Sequence, residues 1–168
     1  MPVLPPIAGV KIGIGQAGIK YKDRNDLMVM TFDKGTAVAG VFTKSLTRAS
    51  PVDWSELVVA RTKGRARALI VNSGNANAFT GKAGVETVKQ TIAGVAETFG
   101  ILAKEVMVSS TGVIGQTLDA SKITKILPNV KKQMSGDLWR DAAAAIMTTD
   151  TFPKLCTRQA KIGERAVT

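Results

Sequence analysis

The sequence predicts an α/β fold in which mixed and antiparallel strands are combined with helices. Residues 66–71 (ARALIV) form a short run that is apolar apart from Arg67, which is typical of a central strand covered on both faces. Residues 81–99 carry apolar side chains at helical spacing. Residues 27–33 and 36–42 read as two strands joined by a Lys34-Gly35 hairpin turn, and so short a link requires antiparallel pairing.

The remaining elements of the first half follow from local signals. Residues 9–18 alternate apolar residues with glycine and lysine, which indicates a strand with a close backbone approach. Residues 52–60 predict a short helix with Asp53 as its N-cap. The long helix at 81–99 is expected to bury one face and to end at Gly100. That face comprises Val85, Val88, Ile92, Val95, Ala96 and Phe99.

Strands and helices also alternate in the second half of the sequence. A turn at 103–105 leads into a strand at 106–110, and Asp119 or Ser121 caps a helix that stops before Pro128. Residues 138–147 predict an alanine-rich helix capped near Asp137. Apolar and polar residues alternate over residues 155–162, which predicts a strand. The sequence then stops without a closing helix or polar tail, so we expect a part of a longer protein.

Residues 106–116 (VMVSSTGVIGQ) are the stretch around which the chain is organised. The predicted strand runs into a turn at 109–115 that is rich in hydroxyl groups and glycine. Gly112 and Gly115 allow a close backbone approach, and Ser109, Ser110 and Thr111 supply hydroxyl groups beside them. Backbone N–H groups with a hydroxyl are the components of an oxyanion hole. They are equally the components of a simple strand-to-helix turn, and the local pattern does not separate the two.

Two other polar segments carry the same ambiguity. Residues 72–81 (NSGNANAFTG) place Asn72, Asn75 and Asn77 at the end of the central strand. Such amides suit a plain loop, and they also suit the holding of a ligand or a neighbouring loop. Residues 147–155 (MTTDTFPKL) cluster three threonines and an aspartate where Pro153 prevents further helix. A capped helix terminus accounts for this cluster without any function.

Composition limits the chemistry. The 168 residues contain no histidine and one cysteine, so the usual histidine-dependent nucleophile pairs, histidine metal sites and an internal disulfide are all excluded within the chain. Any catalytic base must be a lysine, a carboxylate, an α-amine or a group on another chain. Cys156 is expected to be a buried structural residue. A single cysteine fits a reducing, cytoplasmic compartment.

The formal charge of +10 suggests an anionic partner. Nucleic acid is one class, but the densest basic group, at 61–67, has no aromatic residue for base stacking. A small anionic substrate or an acidic partner chain explains the charge as well. No apolar run approaches the roughly 18 residues of a membrane helix. No repeat of 20–50 residues is visible.

Three separated segments together resemble one family. NSGNANAFTG at 72–81, SSTGVIG at 109–115 and MTTDTFPK at 147–154 are similar, in order and spacing, to motifs of glutamate N-acetyltransferase, also called ornithine acetyltransferase, of arginine biosynthesis. GIKYKDRNDLMVM followed by AVAGVFT is similar to its N-terminal part. The resemblance spans nearly the whole chain and implies an α/β fold of stacked sheets and helices, completed by a separate β chain.

The resemblance also implies a mechanism. Members are made as a precursor that cuts itself before a threonine, which leaves an N-terminal α chain associated with a C-terminal β chain. The exposed threonine accepts acetyl from N-acetylornithine and passes it to glutamate. Its own α-amine can act as the base, which agrees with the absence of histidine. On this basis residues 1–168 are one domain, the α chain, expected in an assembly of two α and two β chains.

Site residues follow from the same motifs. By the match to SSTGVIG, Thr111 and Gly112 correspond to the oxyanion-hole pair. By the match to MTTDTFPK, Thr148 or Thr149 corresponds to the substrate-binding threonine. No cofactor or metal is implied, although acetyl-CoA is a second acetyl donor in some members. The family's glycine-rich cleavage segment and Ala-Thr junction are missing here, so Thr168 is not proposed as the nucleophile.

Two other function classes stay open from the sequence. One is half of another N-terminal-nucleophile amidase or peptidase, which would release free acetate or a cleaved amide. The other is a basic nucleic-acid-binding domain, whose binding would depend steeply on salt.

Overall fold

The computed structural model describes residues 4–168, which form one four-stranded mixed sheet flanked by helices. The strand order is β1-β2-β3-β4, with antiparallel pairing for the first two neighbours and parallel pairing between β3 and β4. This confirms the predicted α/β class with mixed and antiparallel strands. The four strands are β1 (Val10–Gly15), β2 (Leu27–Phe32), β3 (Ala68–Asn75) and β4 (Val106–Val113).

Helices occupy the connections and the last third of the chain. The helix between β3 and β4 completes a β-α-β unit, the usual way to join parallel neighbours. A single 3₁₀ turn at Ala103–Glu105 leads into β4, and a small exposed hairpin, β5 (Ala160–Ile162) with β6 (Arg165–Val167), follows the last helix. The helices are α1 (Ser50–Arg61), α2 (Gly81–Phe99), α3 (Ala120–Thr124), α4 (Leu127–Lys132) and α5 (Trp139–Ala145).

The main core lies on one face of the sheet. Alternate residues of β2, β3 and β4 point to this face and pack against α2, α3 and α4. α1 is tied to β4 by three hydrogen bonds. Trp54 Nε1 donates to the Val106 carbonyl (2.9 Å), Ser55 Oγ donates to the Val108 carbonyl (2.7 Å), and the Val108 N–H donates to Ser55 Oγ (3.1 Å). The buried members of this core are Leu27, Val29, Ala68, Ile70, Val88, Ile92, Val95, Val106, Val108, Leu118, Ile123, Leu127 and Val130.

The opposite face of the sheet is covered by α5 over β1 and β2. Ala142 and Ala145 are buried there against Ile12 and Met28. Small alanine side chains allow the helix to lie close to the sheet. Towards β4 the same face is open. A cavity of about 510 Å³ extends over it, between the end of α5 and the start of α1.

Several predictions are confirmed. β3 lies between β2 and β4, as the continuous apolar run indicated. α2 has the predicted bounds and ends at Gly100 in the left-handed conformation (φ +67°). The Asp119 side chain caps α3 by accepting the Ser121 backbone N–H at 2.9 Å. The close backbone approach in β1 is present, since a Cβ atom on Gly13 would lie 2.7 Å from Val130 Cγ1.

The hairpin predicted between residues 27–33 and 36–42 is wrong. β2 pairs instead with β1 on one side and β3 on the other, so neither of its edges is free for a returning strand. Residues 36–42 leave the sheet, and Ala37 makes only an isolated bridge to Arg65. The turn at Lys34-Gly35 exists, but it leads to an extended segment rather than a strand. Local alternation alone could not reveal that both edges of β2 were already taken.

Some boundaries also differ from the predictions. α1 starts at Ser50, with Ala49 as N-cap and Pro51 in the first turn, so Asp53 does not cap it. Asp137 does not cap α5; its carboxylate accepts a hydrogen bond from Ser135 instead. A second helix, α4, begins at Leu127 beyond the predicted stop, with Pro128 in its first turn. Only Ala160–Ile162 of the alternating segment 155–162 is a strand.

Two burial predictions are wrong. Val85 is 46% exposed, whereas Val88, Ile92 and Val95 further along α2 are buried. Cys156 is exposed in the irregular segment that follows α5, where nothing packs over it within residues 4–168.

Candidate functional site

The parallel pairing of β3 with β4 brings two of the three motifs together. Both strands end at the same edge of the sheet, and their last residues are polar or glycine. Asn72 lies opposite Ser110, Ser73 opposite Thr111, and Gly74 opposite Gly112. The motifs at 72–81 and 109–115 are therefore adjacent where their strands pair, and residues 36 to 38 positions apart in sequence form one surface.

β4 extends further than its sequence predicted. The strand runs to Val113, so Thr111 and Gly112 belong to it and the turn begins after them. Their pairing with β3 holds the backbone of both residues in place. The strand pairing is irregular here, with a register shift between Gly74 and Asn75. Gly74 pairs with Gly112, whereas Asn75 pairs with both Thr111 and Val113.

Gly112 occupies a position that only glycine fits. Its φ of +135° is rarely adopted by residues with a side chain. A Cβ atom there would lie 2.3 Å from the carbonyl carbon of Gly74 and 2.5 Å from the Asn75 nitrogen. Gly74 itself has φ +95°. Backbones that approach this closely expose peptide groups rather than side chains at the end of the sheet.

Thr111 is half-buried beside Gly112. No side-chain hydrogen bond of its hydroxyl is present within residues 4–168, whereas its neighbour Ser110 donates to Asn72 Oδ1 at 2.6 Å. A hydroxyl and a backbone N–H from consecutive residues can converge on one oxygen atom. The predicted oxyanion pair is thus adjacent at an accessible edge of the sheet.

The three asparagines of the first motif act as internal braces. All three are buried, with 6% exposure or less. Asn72 Nδ2 donates to the Asn75 carbonyl at 2.9 Å, Asn75 Nδ2 to the Gln116 carbonyl at 3.1 Å, and Asn77 Nδ2 to the Gly84 carbonyl at 2.9 Å. Their amides are engaged in holding loops. Of the alternatives open from sequence, the structure favours the holding of a neighbouring loop over direct ligand contact.

The third motif is anchored to the same edge. Ser73 Oγ, which is fully buried, donates to the Ala145 carbonyl at 2.7 Å. The Arg24 guanidinium donates to the Met147 carbonyl. The first bond holds the end of α5 against β3 at Ser73, the register partner of Thr111, and the second holds the following residues against the β1–β2 loop. The following Thr148 is half-buried and Thr149 is exposed.

Positive charge lies beside this edge. Lys20 Nζ is 5.5 Å and Arg24 Cζ 4.9 Å from the centre of the Tyr21 ring. Gly74 brings β3 against the Lys20 backbone, since a Cβ atom on Gly74 would lie 3.0 Å from Lys20 Cβ. A basic loop next to the site suits a substrate that carries carboxylates.

One carboxylate of the third motif is held in its charged form. The Lys154 ammonium bonds the Asp150 carboxylate and, with its charge, lowers the pKa of that group below its usual value. Asp150 immediately follows Thr149, so this pair restricts the exposed end of the motif. Among the described residues, no group of three or more histidine, cysteine, aspartate or glutamate side chains is placed to hold a metal ion.

The open cavity on the second sheet face reaches this edge. Val71, Ser109, Ser110 and Ile146 contribute to its walls, so all three motifs or their flanks border it. Its lining is mainly apolar, and its polar residues are Thr43, Ser55, Ser109 and Ser110. Within residues 4–168 no helix has the length and apolar character needed to cross a membrane.

Sequence reasoning missed three residues that assemble the site. Asp26 is fully buried and its carboxylate accepts the backbone N–H groups of Ala17 and Ile19 at 2.6 and 2.7 Å. Its carbonyl also accepts the Ser73 N–H at 2.9 Å. With Arg24 and Ser73, Asp26 joins the β1–β2 loop to β3 and α5. Arg24 and Asp26 lie in KYKDRND, a charged composition that also describes an ordinary solvated loop, and Ser73 lies in the motif at 72–81, of which only the asparagines were singled out.

The fold is shared with known enzymes. The structure matches an ornithine acetyltransferase from Mycobacterium tuberculosis, solved in complex with ornithine, with a TM-score of 0.81 and 40% identity over 89% of this chain and 80% of that one. It matches the arginine biosynthesis bifunctional protein ArgJ of Bacillus halodurans with a TM-score of 0.81 and 32% identity over 95% and 83% of the two chains. The chain therefore has the α/β fold of the ornithine acetyltransferases.

Sequence comparison gives the family. The ArgJ family model matches residues 11–168. The arginine biosynthesis bifunctional protein ArgJ of Mesorhizobium japonicum is 52% identical over 99% of this chain, and that of Nitrobacter winogradskyi is 47% identical over the whole of this chain. This chain belongs to the ArgJ family. It spans about 40% of the length of these relatives.

Proposed function

We propose that residues 1–168 are the α chain of a glutamate N-acetyltransferase of arginine biosynthesis, which moves acetyl from N-acetylornithine to glutamate. The observation that carries the proposal is the convergence of the three family motifs at one edge of the sheet. Thr111 and Gly112 lie opposite Ser73 and Gly74, and Ser73 in turn holds the end of α5. Family membership and the fold support the same activity.

The proposed reaction has two steps. The hydroxyl of a threonine at the N-terminus of a separate β chain attacks the acetyl carbonyl of N-acetylornithine, and its own α-amine takes the hydroxyl proton. The tetrahedral intermediate breaks its C–N bond, the amine nitrogen receives the proton, and ornithine leaves. The amine of glutamate then attacks the acetyl-threonine ester, which regenerates the threonine hydroxyl and releases N-acetylglutamate. No oxidant or reductant is needed.

Thr111 and Gly112 have the oxyanion role in this proposal. Each step places negative charge on the acetyl oxygen, and the Thr111 hydroxyl with the Gly112 N–H stabilises it. Donors fixed before the reaction avoid reorganisation as charge develops. Support comes from the extended pairing with β3, which fixes the backbone of both residues, and from the crowding that excludes a side chain at position 112.

Thr148 or Thr149 has the substrate-binding role. Both follow directly on Met147, whose carbonyl is anchored by Arg24. The neighbouring cations Lys20 and Arg24 favour substrates with carboxylates, which N-acetylornithine and glutamate both carry. The formal charge of +10 agrees with such substrates.

The assembly we propose contains two α and two β chains in the cytoplasm. No cofactor is required, because the acetyl group moves between two amines through an ester. Acetyl-CoA enters only as an alternative acetyl donor, and the assay decides whether it is used.

The test uses the full-length precursor, expressed and purified under native conditions. Denaturing mass spectrometry with N-terminal sequencing should find two chains, the second beginning with threonine. The purified enzyme should convert N-acetylornithine and glutamate to ornithine and N-acetylglutamate in equal amounts. In parallel reactions, acetyl-CoA replaces N-acetylornithine as the acetyl donor. Release of free acetate without transfer would indicate a hydrolase instead, and an uncut precursor with full activity would contradict the threonine mechanism.

A further inference from the structure

We infer that Arg24 is a positioning residue that sets the place of the substrate-binding threonines relative to Thr111 and Gly112. The inference rests on the proposed function. Arg24 is 87 residues before Thr111 in the sequence and is not part of any of the three motifs. Its role follows from the two contacts that its guanidinium makes.

The first contact is with the backbone of the third motif. The Arg24 guanidinium donates to the carbonyl of Met147, one peptide bond from Thr148. α5 ends at Ala145, so its last carbonyl groups have no partner within the helix. A cation that bonds a carbonyl just beyond a helix end is favoured electrostatically as well as geometrically. Arg24 therefore determines how the chain leaves α5.

The second contact holds Arg24 itself. Its guanidinium lies over the Tyr21 ring, 4.9 Å from the ring centre, and the side chain is half-buried. The loop that carries both residues is closed by the buried Asp26 carboxylate, which accepts N–H groups from Ala17 and Ile19. A guanidinium fixed by stacking has less freedom to lose on bonding a carbonyl.

This loop is also bound to the oxyanion side of the site. The Asp26 carbonyl accepts the Ser73 N–H at 2.9 Å, and Ser73 lies opposite Thr111 on the adjacent strand. Thr111 is thus linked through Ser73 to Asp26, and Arg24, two residues before Asp26 in the same loop, bonds Met147. Ser73 Oγ also bonds the end of α5 two residues earlier, at the Ala145 carbonyl. Of the two side chains that bond this segment, Arg24 is the one whose acceptor lies next to Thr148.

Loss of the guanidinium should therefore affect substrate binding more than the chemical step. Without its anchor, the segment at 147–149 can relax away from the edge, while the Thr111–Gly112 pair stays fixed by β3. The Michaelis constant for N-acetylornithine should rise about tenfold, as expected for one lost charge-assisted hydrogen bond. The turnover number should change less than twofold.

The experiment compares variants of the full-length, self-processed enzyme. Arg24→Gln removes the charge and the fork of donors, and Arg24→Lys keeps a cation that can still bond one carbonyl. Arg140→Gln is the matched control, because Arg140 is exposed on α5. Each of these variants is also made in a double variant that carries both Thr148→Ala and Thr149→Ala. Readouts are processing by mass spectrometry, melting temperature, turnover number and the Michaelis constant.

We expect Arg24→Gln to raise the Michaelis constant about tenfold, Arg24→Lys to recover part of the loss, and Arg140→Gln to match the wild type. In the double-threonine background Arg24→Gln should add less than twofold, because the groups that it positions are already absent. An unchanged Michaelis constant for Arg24→Gln would overturn the inference. So would a rise caused by Arg24→Gln in the Thr148→Ala, Thr149→Ala background that equals its rise in the wild-type background.

The inference can still be tested if the Arg24→Gln variant does not fold. If Arg24→Gln does not assemble, Arg24→Lys and Tyr21→Leu carry the same test, and normal Michaelis constants in both would overturn the inference. A wild-type enzyme without transfer to glutamate would instead remove the proposed function itself. An active wild type with insensitive Arg24 variants would remove only the positioning role.

Discussion

Gly74 and Gly112 lie opposite each other at the ends of the parallel strands β3 and β4, and a Cβ atom on Gly112 would lie 2.3 Å from the Gly74 carbonyl carbon. The two residues belong to different motifs, 38 positions apart in sequence. Their backbones are in contact where the ladder becomes irregular. Any change at either position is therefore transmitted directly to the other motif.

A methyl group at position 112 should prevent normal assembly of this edge. Gly112→Ala must both adopt a φ of +135° and displace the backbone of β3. We expect loss of folded, processed enzyme, measured by thermal melting and mass spectrometry. Gly35→Ala is the matched control: Gly35 has φ +94° with nothing within 4 Å, so it should cost only about 1–2 kcal/mol of backbone strain. Equal stability of the two variants would contradict the crowding.

The Thr111 hydroxyl should matter for turnover rather than for folding. Thr111→Ala in the assembled enzyme is expected to lower kcat about 100–1000-fold, the range for removal of one oxyanion donor. Thr111→Ser retains a hydroxyl and should keep most of the activity. Thr117→Ala, exposed in the loop after β4, is the control for a lost threonine hydroxyl. Steady-state kinetics with an unchanged kcat for Thr111→Ala would remove the oxyanion assignment.

The two adjacent threonines can be separated by single substitutions. Thr148→Ala and Thr149→Ala remove one hydroxyl each, and the Michaelis constant for N-acetylornithine should rise about tenfold at one position only. The unaffected variant serves as the control for the other. Isothermal titration with ornithine gives an independent affinity. Normal Michaelis constants in both variants would show that neither hydroxyl binds substrate.

The Asp119 cap should give a pH-dependent stability. Its carboxylate accepts the Ser121 N–H, and this bond lowers the pKa of Asp119 below the ordinary value of 3.8. A lowered folded-state pKa stabilises the native state above about pH 3.8, and that stability is lost as the pH falls through the lower value. Asp119→Ala should therefore reduce the urea midpoint at pH 7, and the difference from wild type should shrink towards pH 3.

Asp119→Asn separates the cap from the charge. Asparagine is also a good N-cap, so this variant should be close to the wild type at pH 7 without the same pH dependence. A deficit in Asp119→Ala that is equally large at pH 7 and pH 3 would contradict the assignment to the carboxylate.

Local signals were sufficient for several elements. The apolar run of β3, the helical spacing of α2 with Gly100 after it, and the Asp119 cap each depend on contacts within a few residues, so the sequence predicted them. The hairpin at 36–42 failed because strand partners are chosen across the whole sheet. β1 and β3 pair with the two edges of β2, and a local sequence pattern cannot show that these strands exclude residues 36–42.

The site shows the same division. Which residue types are available could be seen without a structure: the hydroxyl and glycine pair Thr111 and Gly112, the adjacent threonines, and a chain without histidine. That these groups meet at one end of the sheet follows from the parallel pairing of β3 with β4 and from the bonds of Ser73 and Arg24 to the end of α5. These contacts join residues 36 to 123 positions apart, so their formation depends on packing of the whole sheet rather than on any local preference.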